Sequence, residues 1–252
     1  MIRILAGSVL AVLVLAAPAC GIELIGAIRE TGGDSPAGAP TPCSLPPRPW
    51  VPGSGVLDGN CGNYRWFNVC SGYIWIFSVG PPDDSFGTLF KSADGLACVA
   101  PGNTVKRVVT YHRNVVPNYN QTIGLFLHSD PDEDGCPPFN TLAQNLNLDP
   151  ALRWNCSNFG TVIPAGVNAL VVRFTNARGY APTFVTDGPF TYNCDPNGND
   201  HSFYYPSIGG CIPWRLLSPT GRGDNFLSWL IVDSATDTTE PTSWGKIKGL
   251  FR

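Results

Sequence analysis

The sequence predicts a mainly β protein, a single antiparallel β-sandwich of jelly-roll type that is stapled by disulfides. Short apolar runs, rich in Val, Ile, Thr and aromatic residues, are bounded by Gly, Pro, Asn or Asp, as strands are. Most of the 28 glycines and 24 prolines lie between these runs, where they favour turns and disfavour long helices. Strands at this spacing without helical periodicity favour two packed antiparallel sheets.

We expect nine strands along the chain, at residues 64–69, 72–79, 87–91, 105–112, 122–128, 169–175, 202–205, 213–217 and 226–232. The run 122–128 shows the clearest alternation. One face of it carries Ile123, Leu125 and Leu127. The other face carries Gly124, Phe126 and His128. Such a period of two is typical of a strand with one buried face. The segment 163–172, which contains Pro164-Ala165-Gly166, resembles a corner found in bacterial extracellular β-sandwich modules, and the resemblance implies the fold only.

The nine cysteines include eight that follow the N-terminal leader, and no two of them form a CxxC pair. An even number of scattered cysteines is typical of a disulfide framework, which persists only in oxidising compartments. We therefore expect a secreted or cell-surface protein, with the pairing left open. The predicted disulfide cysteines are Cys43, Cys61, Cys70, Cys98, Cys136, Cys156, Cys194 and Cys211.

Residues 1–19 have the features of a signal peptide. Arg3 precedes the apolar run 4–16, and Ala17-Pro18-Ala19 supplies the small residues of a cleavage site. The run is too short to span a bilayer, so we expect no transmembrane helix in the mature chain. Cys20 with its neighbours Ala19 and Gly21 also resembles the lipobox of bacterial lipoproteins, which implies acylation of Cys20. Simple cleavage and lipidation both remain open.

The rest of the chain divides into three parts. Residues 20–48, rich in Gly, Pro, Ala and Ser, are expected to form a flexible tether, apart from the apolar patch 22–28. Residues 49–234 are expected to form the one sandwich domain, since the chain is 43% hydrophobic and supports a core. Residues 235–252 form a polar linker and a short tail.

An acidic motif at 130–135 is the most chemical-looking segment. Asp130, Asp132 and Asp134 alternate ahead of Gly135, as ligands do in the first half of a calcium loop. The motif resembles the calcium loops of extracellular repeat modules, which implies that these three carboxylates bind Ca²⁺. Thr141 stands where an EF-hand has its bidentate Glu. The alternative is a solvated acidic turn.

Catalytic patterns are sparse. No two of His112, His128 and His201 have the spacing of a local metal clamp, and no serine lies in a GxSxG frame. Pairs of Glu on core strands are excluded, whereas an Asp pair is not. We therefore expect a protein that is not an enzyme. The net charge of −3 provides no basic field for nucleic acid.

The aromatic residues offer a second function. Most tryptophans and tyrosines are expected in the core, but four aromatic residues are expected at a surface on which sugar rings stack. These candidates are Trp154, Tyr180, Tyr204 and Tyr205.

The C-terminal ten residues, 243–252, contain Trp244-Gly245, Ile247-Lys248 and Phe251-Arg252. They resemble a terminus that recurs on otherwise unrelated secreted proteins of environmental bacteria. The resemblance implies a sorting signal that is read by export or surface machinery.

These observations predict a secreted or cell-surface, non-catalytic binding or structural protein of the bacterial envelope. Its expected partners are polysaccharide or other envelope components. The alternatives are a calcium-dependent carbohydrate-binding module and an extracellular hydrolase with an Asp-based site.

Overall fold

The computed structural model describes residues 24–29, 63–66, 73–77, 84–112, 123–148, 154–176, 184–186, 201–217 and 225–235. In these ranges the chain is mainly β, as predicted, with thirteen strands and two short 3₁₀ turns at Ser92–Asp94 and Trp214–Leu216. The strands are β1 Leu24–Arg29, β2 Asn63–Arg65, β3 Tyr73–Phe77, β4 Ser85–Lys91, β5 Thr104–Tyr111, β6 Ile123–Ser129, β7 Asn140–Leu148, β8 Trp154–Val162, β9 Ala169–Asn176, β10 Phe184–Thr186, β11 Ser202–Tyr205, β12 Ile212–Pro213 and β13 Ser228–Asp233.

The described strands form antiparallel sheets with a jelly-roll topology. A six-stranded sheet has the order β12-β11-β4-β9-β6-β7, and a four-stranded sheet has the order β2-β13-β5-β8. Four antiparallel pairs are nested along the chain, with β6–β7 innermost, then β5–β8, β4–β9 and β2–β13. Alternate levels of this folded ribbon belong to opposite sheets, which is the double-sheet arrangement of a jelly roll. The predicted sandwich is therefore confirmed.

A third, smaller sheet has the order β1-β3-β10. Its strand β10 is connected to the sandwich by a β-bridge between Thr186 and Phe226. Strand β1 lies within the segment predicted as a flexible tether and includes most of its apolar patch, which pairs with β3. The patch, which the sequence set apart from the tether, thus completes a sheet.

The core lies between the six-stranded and four-stranded sheets. Phe226 leads into β13, and its ring centroid lies 5.6 Å from Phe86 on β4 and 5.9 Å from Phe174 on β9. Ile123, Leu125 and Leu127 all face this core, which confirms the alternation predicted for β6. Both sheets therefore share one hydrophobic core.

Eight of the predicted strands correspond to β2, β3, β4, β5, β6, β9, β11 and β13. The ninth, at 213–217, is wrong for most of its length. Trp214–Leu216 form a 3₁₀ turn, closed by the Leu217 amide donating to the Trp214 carbonyl at 2.9 Å. The turn directs the Trp214 side chain into the core, where it is 1% exposed.

The disulfide Cys136–Cys211 joins the loop after β6 to the start of β12, across a sequence separation of 75. Cys98 and Cys156 are also disulfide-bonded. The disulfide staple is thus confirmed for these four cysteines. Cys43, Cys61, Cys70 and Cys194 lie outside the described residues, as do Cys20, the leader and the C-terminal tail.

Within the described ranges, no helix combines the length and apolar character that crossing a membrane requires.

Candidate functional site

The outer face of the six-stranded sheet carries an unusual row of side chains. The strand register places Phe126 of β6 opposite Gln144 of β7 on one side and opposite Arg173 of β9 on the other. Arg173 in turn lies opposite Gly87 of β4. Because neighbours of Phe126 on β6 point into the core, Phe126 itself points outward. Phe126 and Arg173 are half-buried and Gln144 is exposed, so the row is open to solvent.

Arg173 is held in place from two sides. Its Nε donates to Ser85 Oγ at 2.7 Å, and its guanidinium carbon lies 5.5 Å from the centre of the Tyr205 ring. Burial lowers the pKa of Arg173, although a guanidinium remains protonated in proteins. The ion pairs among the described residues are Lys106–Asp233 and His201–Asp94. Arg173 is therefore a positioned cation without a carboxylate partner in that part of the chain.

An aromatic stack extends from Phe126 across the face. The His128 ring lies parallel to Phe126 at 5.6 Å and close to parallel with Phe139 at 5.2 Å. Phe139 then meets the edge of Tyr205 at 5.7 Å, and Tyr205 stacks on Phe203 at 6.5 Å. Each ring limits the rotation of the next, so Phe126 is presented at the open end of a rigid stack.

Two glycines make the face flat. A Cβ at Gly87 would lie 2.9 Å from the Tyr205 ring, and a Cβ at Gly124 would lie 3.0 Å from the Phe126 ring. Both rings therefore lie directly against backbone. Leu146 on the edge strand is 49% exposed and also borders Gly124. The outcome is a shallow platform with one aromatic ring, one cation, one amide and one aliphatic side chain. We call Phe126, Arg173, Gln144 and Leu146 the sheet platform.

The acidic loop 130–135 follows β6 and packs on the same outer face of the sheet, against Phe203 and Tyr205. Asp130 is only 1% exposed, and its Oδ2 accepts the Gly135 amide at 2.7 Å. Asp134 Oδ1 accepts the Cys136 amide at 2.7 Å. Burial raises the pKa of the Asp130 carboxyl, while the bonds from backbone amides lower it. The Tyr205 hydroxyl donates to the Gly135 carbonyl at 2.8 Å, so the loop is fastened to the sheet.

The predicted calcium ligands do not converge in this arrangement. Asp130 points toward backbone amides, whereas Asp132 and Asp134 are exposed. Nowhere in the described ranges do three His, Cys, Asp or Glu side chains group as a metal site would require. Gly135 has a positive φ of 81°, and this conformation together with its packing on Phe203 explains the glycine without an ion. Calcium binding by these three carboxylates remains a prediction.

We expect a chelator to leave the thermal unfolding midpoint unchanged, because Asp130, Tyr205 and the Cys136–Cys211 disulfide already close the loop. Differential scanning calorimetry of the oxidised protein with EDTA and with CaCl₂ measures this. A midpoint that falls in EDTA and recovers with Ca²⁺, but not with Mg²⁺, would instead support the calcium site.

Each histidine is packed into the protein. His112 Nε2 lies 2.8 Å from Thr110 Oγ1, and burial lowers its pKa to about 3. The His128 pKa is lowered to about 4 by burial and by Arg173. The His201 ring stacks on Trp66 at 3.7 Å, and burial and Lys91 lower its pKa to about 4. All three rings are therefore neutral at pH 7.

The aromatic candidates for ligand stacking are located differently from the expectation. Tyr204 is 1% exposed in the main core, where its hydroxyl donates to Asp84 at 2.5 Å. Tyr205 is 4% exposed beneath the acidic loop. Placing these two tyrosines on an accessible surface was wrong, because adjacent strand residues point to opposite faces and both faces are covered there. Trp154 begins β8, and Tyr180 lies outside the described residues.

The sheet platform was not predicted, although the sequence holds two signals of it. Phe126 is a large aromatic residue on the otherwise small and polar face of β6. Arg173 is the single charged residue in the apolar strand β9. An isolated charge in a buried strand indicates a specific partner or function.

No protein-family model, curated protein or solved structure matches this chain.

Proposed function

We propose that the protein is a secreted or cell-surface, non-catalytic binding protein of the bacterial envelope, and that it binds polysaccharide through the sheet platform. The observation that carries the proposal is the row Gln144–Phe126–Arg173 on the outer face. It combines a half-buried ring with polar groups that can form hydrogen bonds, which is the composition of many small-molecule and sugar sites.

The flatness of the surface supports a chain-like ligand. The glycines at 87 and 124 remove side chains that would stand above the sheet, and the rings that replace them lie against backbone. Neighbouring strands are roughly 4.8 Å apart, so the three side chains of the row span roughly 10 Å. That length suits a few consecutive sugar rings lying across the strands.

The roles of the titratable groups support a function without catalysis. Asp84 accepts the Tyr204 hydroxyl and the Ser207 amide, and Asp130 accepts the Gly135 amide. The three histidines are packed against aromatic rings: His112 on Phe174, His128 between two phenylalanines and His201 on Trp66. Asp84, Asp130 and the three histidines are thus engaged in holding the fold.

The external location rests on the leader, on the even set of cysteines and on the bonded state of four of them. The intact mass of the protein from its host, before and after reduction, tests it. Cleavage before Cys20 with eight paired thiols would support export, whereas free thiols on an intact leader would contradict it.

Replacing Phe126 with alanine is expected to reduce retention on polysaccharide at least tenfold, because the stacking surface is lost. Co-sedimentation of the full oxidised chain with insoluble neutral and acidic polysaccharides measures this. Val162→Ala is the matched control, since Val162 is a 56% exposed apolar residue on β8 of the opposite sheet. Retention of neither protein on any polymer, or equal retention of wild type and Phe126→Ala, would refute the proposal.

A further inference from the structure

We propose that the sheet platform selects polysaccharides that carry carboxylate groups, with Arg173 pairing with a sugar carboxylate while Phe126 stacks on the neighbouring ring face. This inference rests on the proposed function and names its ligand class: an acidic glycan built from uronic acid units.

Arg173 is already oriented in the free protein. Its Nε is used by Ser85, and its plane packs near Tyr205, so the direction of the guanidinium is fixed before any ligand arrives. No ion pair in the described ranges involves it. None of its nitrogen atoms is among the buried polar atoms that lack a partner, so the two terminal nitrogens have solvent or other groups to bond.

The charge of Arg173 favours a ligand that carries a carboxylate. Burial disfavours the charged form of Arg173 and lowers its pKa. No carboxylate among the described residues forms an ion pair with it. An incoming carboxylate would supply that compensation, and the two terminal nitrogens match its two oxygens in a bidentate pair. A neutral sugar would offer only hydroxyl groups, which form weaker hydrogen bonds with a cation than a carboxylate does.

The side chains beside Arg173 favour a glycan over an acidic peptide as the ligand. Phe126 lies directly opposite Arg173 in the register, at the separation of adjacent cross-strand side chains. A sugar ring attached to the bound carboxylate would therefore lie over or beside the Phe126 ring. Gln144 follows in the same row, where its amide can both donate to and accept from sugar hydroxyls. An acidic peptide would use Arg173 but would leave this aromatic and amide pattern without a matching partner.

Isothermal titration of the full oxidised chain with oligogalacturonate, its fully methyl-esterified form and oligoglutamate tests the inference. We expect oligogalacturonate to bind at least tenfold more tightly than either of the others. Arg173→Gln should weaken that binding at least tenfold. Arg107→Gln is the matched control, because Arg107 is an arginine on β5 of the other sheet whose Nε also has a side-chain acceptor, Asn158 Oδ1 at 2.7 Å. It should bind as wild type does.

Each other outcome overturns a defined part. Equal binding of the esterified and acidic oligomers, abolished by Phe126→Ala, would refute the carboxylate selection and leave the proposed function standing. Equal binding of oligoglutamate would refute sugar recognition by the platform. Binding of no oligosaccharide or insoluble polysaccharide would refute the proposed function itself. If Arg173→Gln fails to fold, Arg173→Lys replaces it, since it keeps the charge but loses the fork; wild-type affinity in that variant would contradict a bidentate pair.

Discussion

Acidification below about pH 6 is expected to destabilise the domain steeply. Three buried histidines stay neutral in the folded protein but become protonated when the chain unfolds, so acid favours the unfolded state. Their pKa values in the folded protein are about 3 for His112 and about 4 for His128 and His201, against 6.5 in the unfolded chain. Between these values the unfolded state binds more protons, so stability falls as the pH falls. A shift from 6.5 to about 4 corresponds to about 3 kcal/mol for one group.

The groups that face these histidines do not reverse the sign. Lys91 lies near His201 and Arg173 near His128, and both cations oppose protonation of the ring. Asp94 Oδ2 lies 3.7 Å from His201 Nδ1 and would partly stabilise the charged ring. Burial raises the pKa of Asp94 and of Asp130, so protonation of these two carboxyls on acidification favours the folded state and partly offsets the loss from the histidines.

The variant His201→Phe measures how much His201 contributes to the loss of stability at low pH. Neither ring nitrogen of His201 has a hydrogen-bond partner among the described residues, and a phenylalanine ring can keep the stack on Trp66. We expect the variant to be as stable as wild type or more stable at pH 7, and to lose less stability by pH 4.5. Chemical denaturation at a series of pH values measures both. An unchanged acid limb in His201→Phe would show that this histidine does not drive the transition.

Gly135→Ala is expected to destabilise the domain by about 2 to 5 kcal/mol, as the sum of two costs. Gly135 has φ +81°, a conformation that costs alanine about 1 to 2 kcal/mol. Its added Cβ would also overlap the Phe203 ring, which is 5% exposed and held by Tyr205 and Leu89 in the outer cluster. Forcing such an overlap costs about 1 to 3 kcal/mol.

Gly166→Ala separates the two costs. Gly166 has the same φ of +81°, but no atom lies within 4 Å of the added Cβ. Only the backbone cost should therefore appear, and urea denaturation of the two variants at pH 7 gives the difference directly. Equal losses in Gly135→Ala and Gly166→Ala would mean that the loop moves off Phe203 at no cost, and that the fastening described for residues 130–136 is weak.

The strands could be predicted where apolar residues alternate along the sequence, because the alternation marks the buried face. In β6 the alternation of Ile123, Leu125 and Leu127 predicts both the strand and its inner face, and all three side chains lie in the core. Strands β7 and β8 were missed because they are the edge strands of their sheets. Several of their positions are exposed and carry Asn or Gln, such as Asn140, Gln144 and Asn158, residues that single-sequence patterns associate with loops.

The site was less predictable, because it depends on contacts between distant segments. Alternating carboxylates resemble ion ligands in sequence, yet whether Asp130 faces an ion or the Gly135 amide depends on the path of the loop. The tandem Tyr204-Tyr205 could have been corrected from the pattern alone, since neighbours on a strand point to opposite faces. Arg173 acquires its significance only when β4 and β11 place Ser85 and Tyr205 around it.

Strands β3 and β10 to β12 stand outside the four nested pairs, and their place in the chain separates two parts of the protein. The six strands from β4 to β9 are consecutive along the chain and contain every residue of the sheet platform. Strand β3 and strands β10 to β12 all enter between the outermost pair, β2–β13, and the next pair inward, β4–β9. Tyr205 and Cys211, which orient Arg173 and fasten the acidic loop, belong to this inserted part. The platform residues and the contacts that orient them therefore come from two separate stretches of the chain.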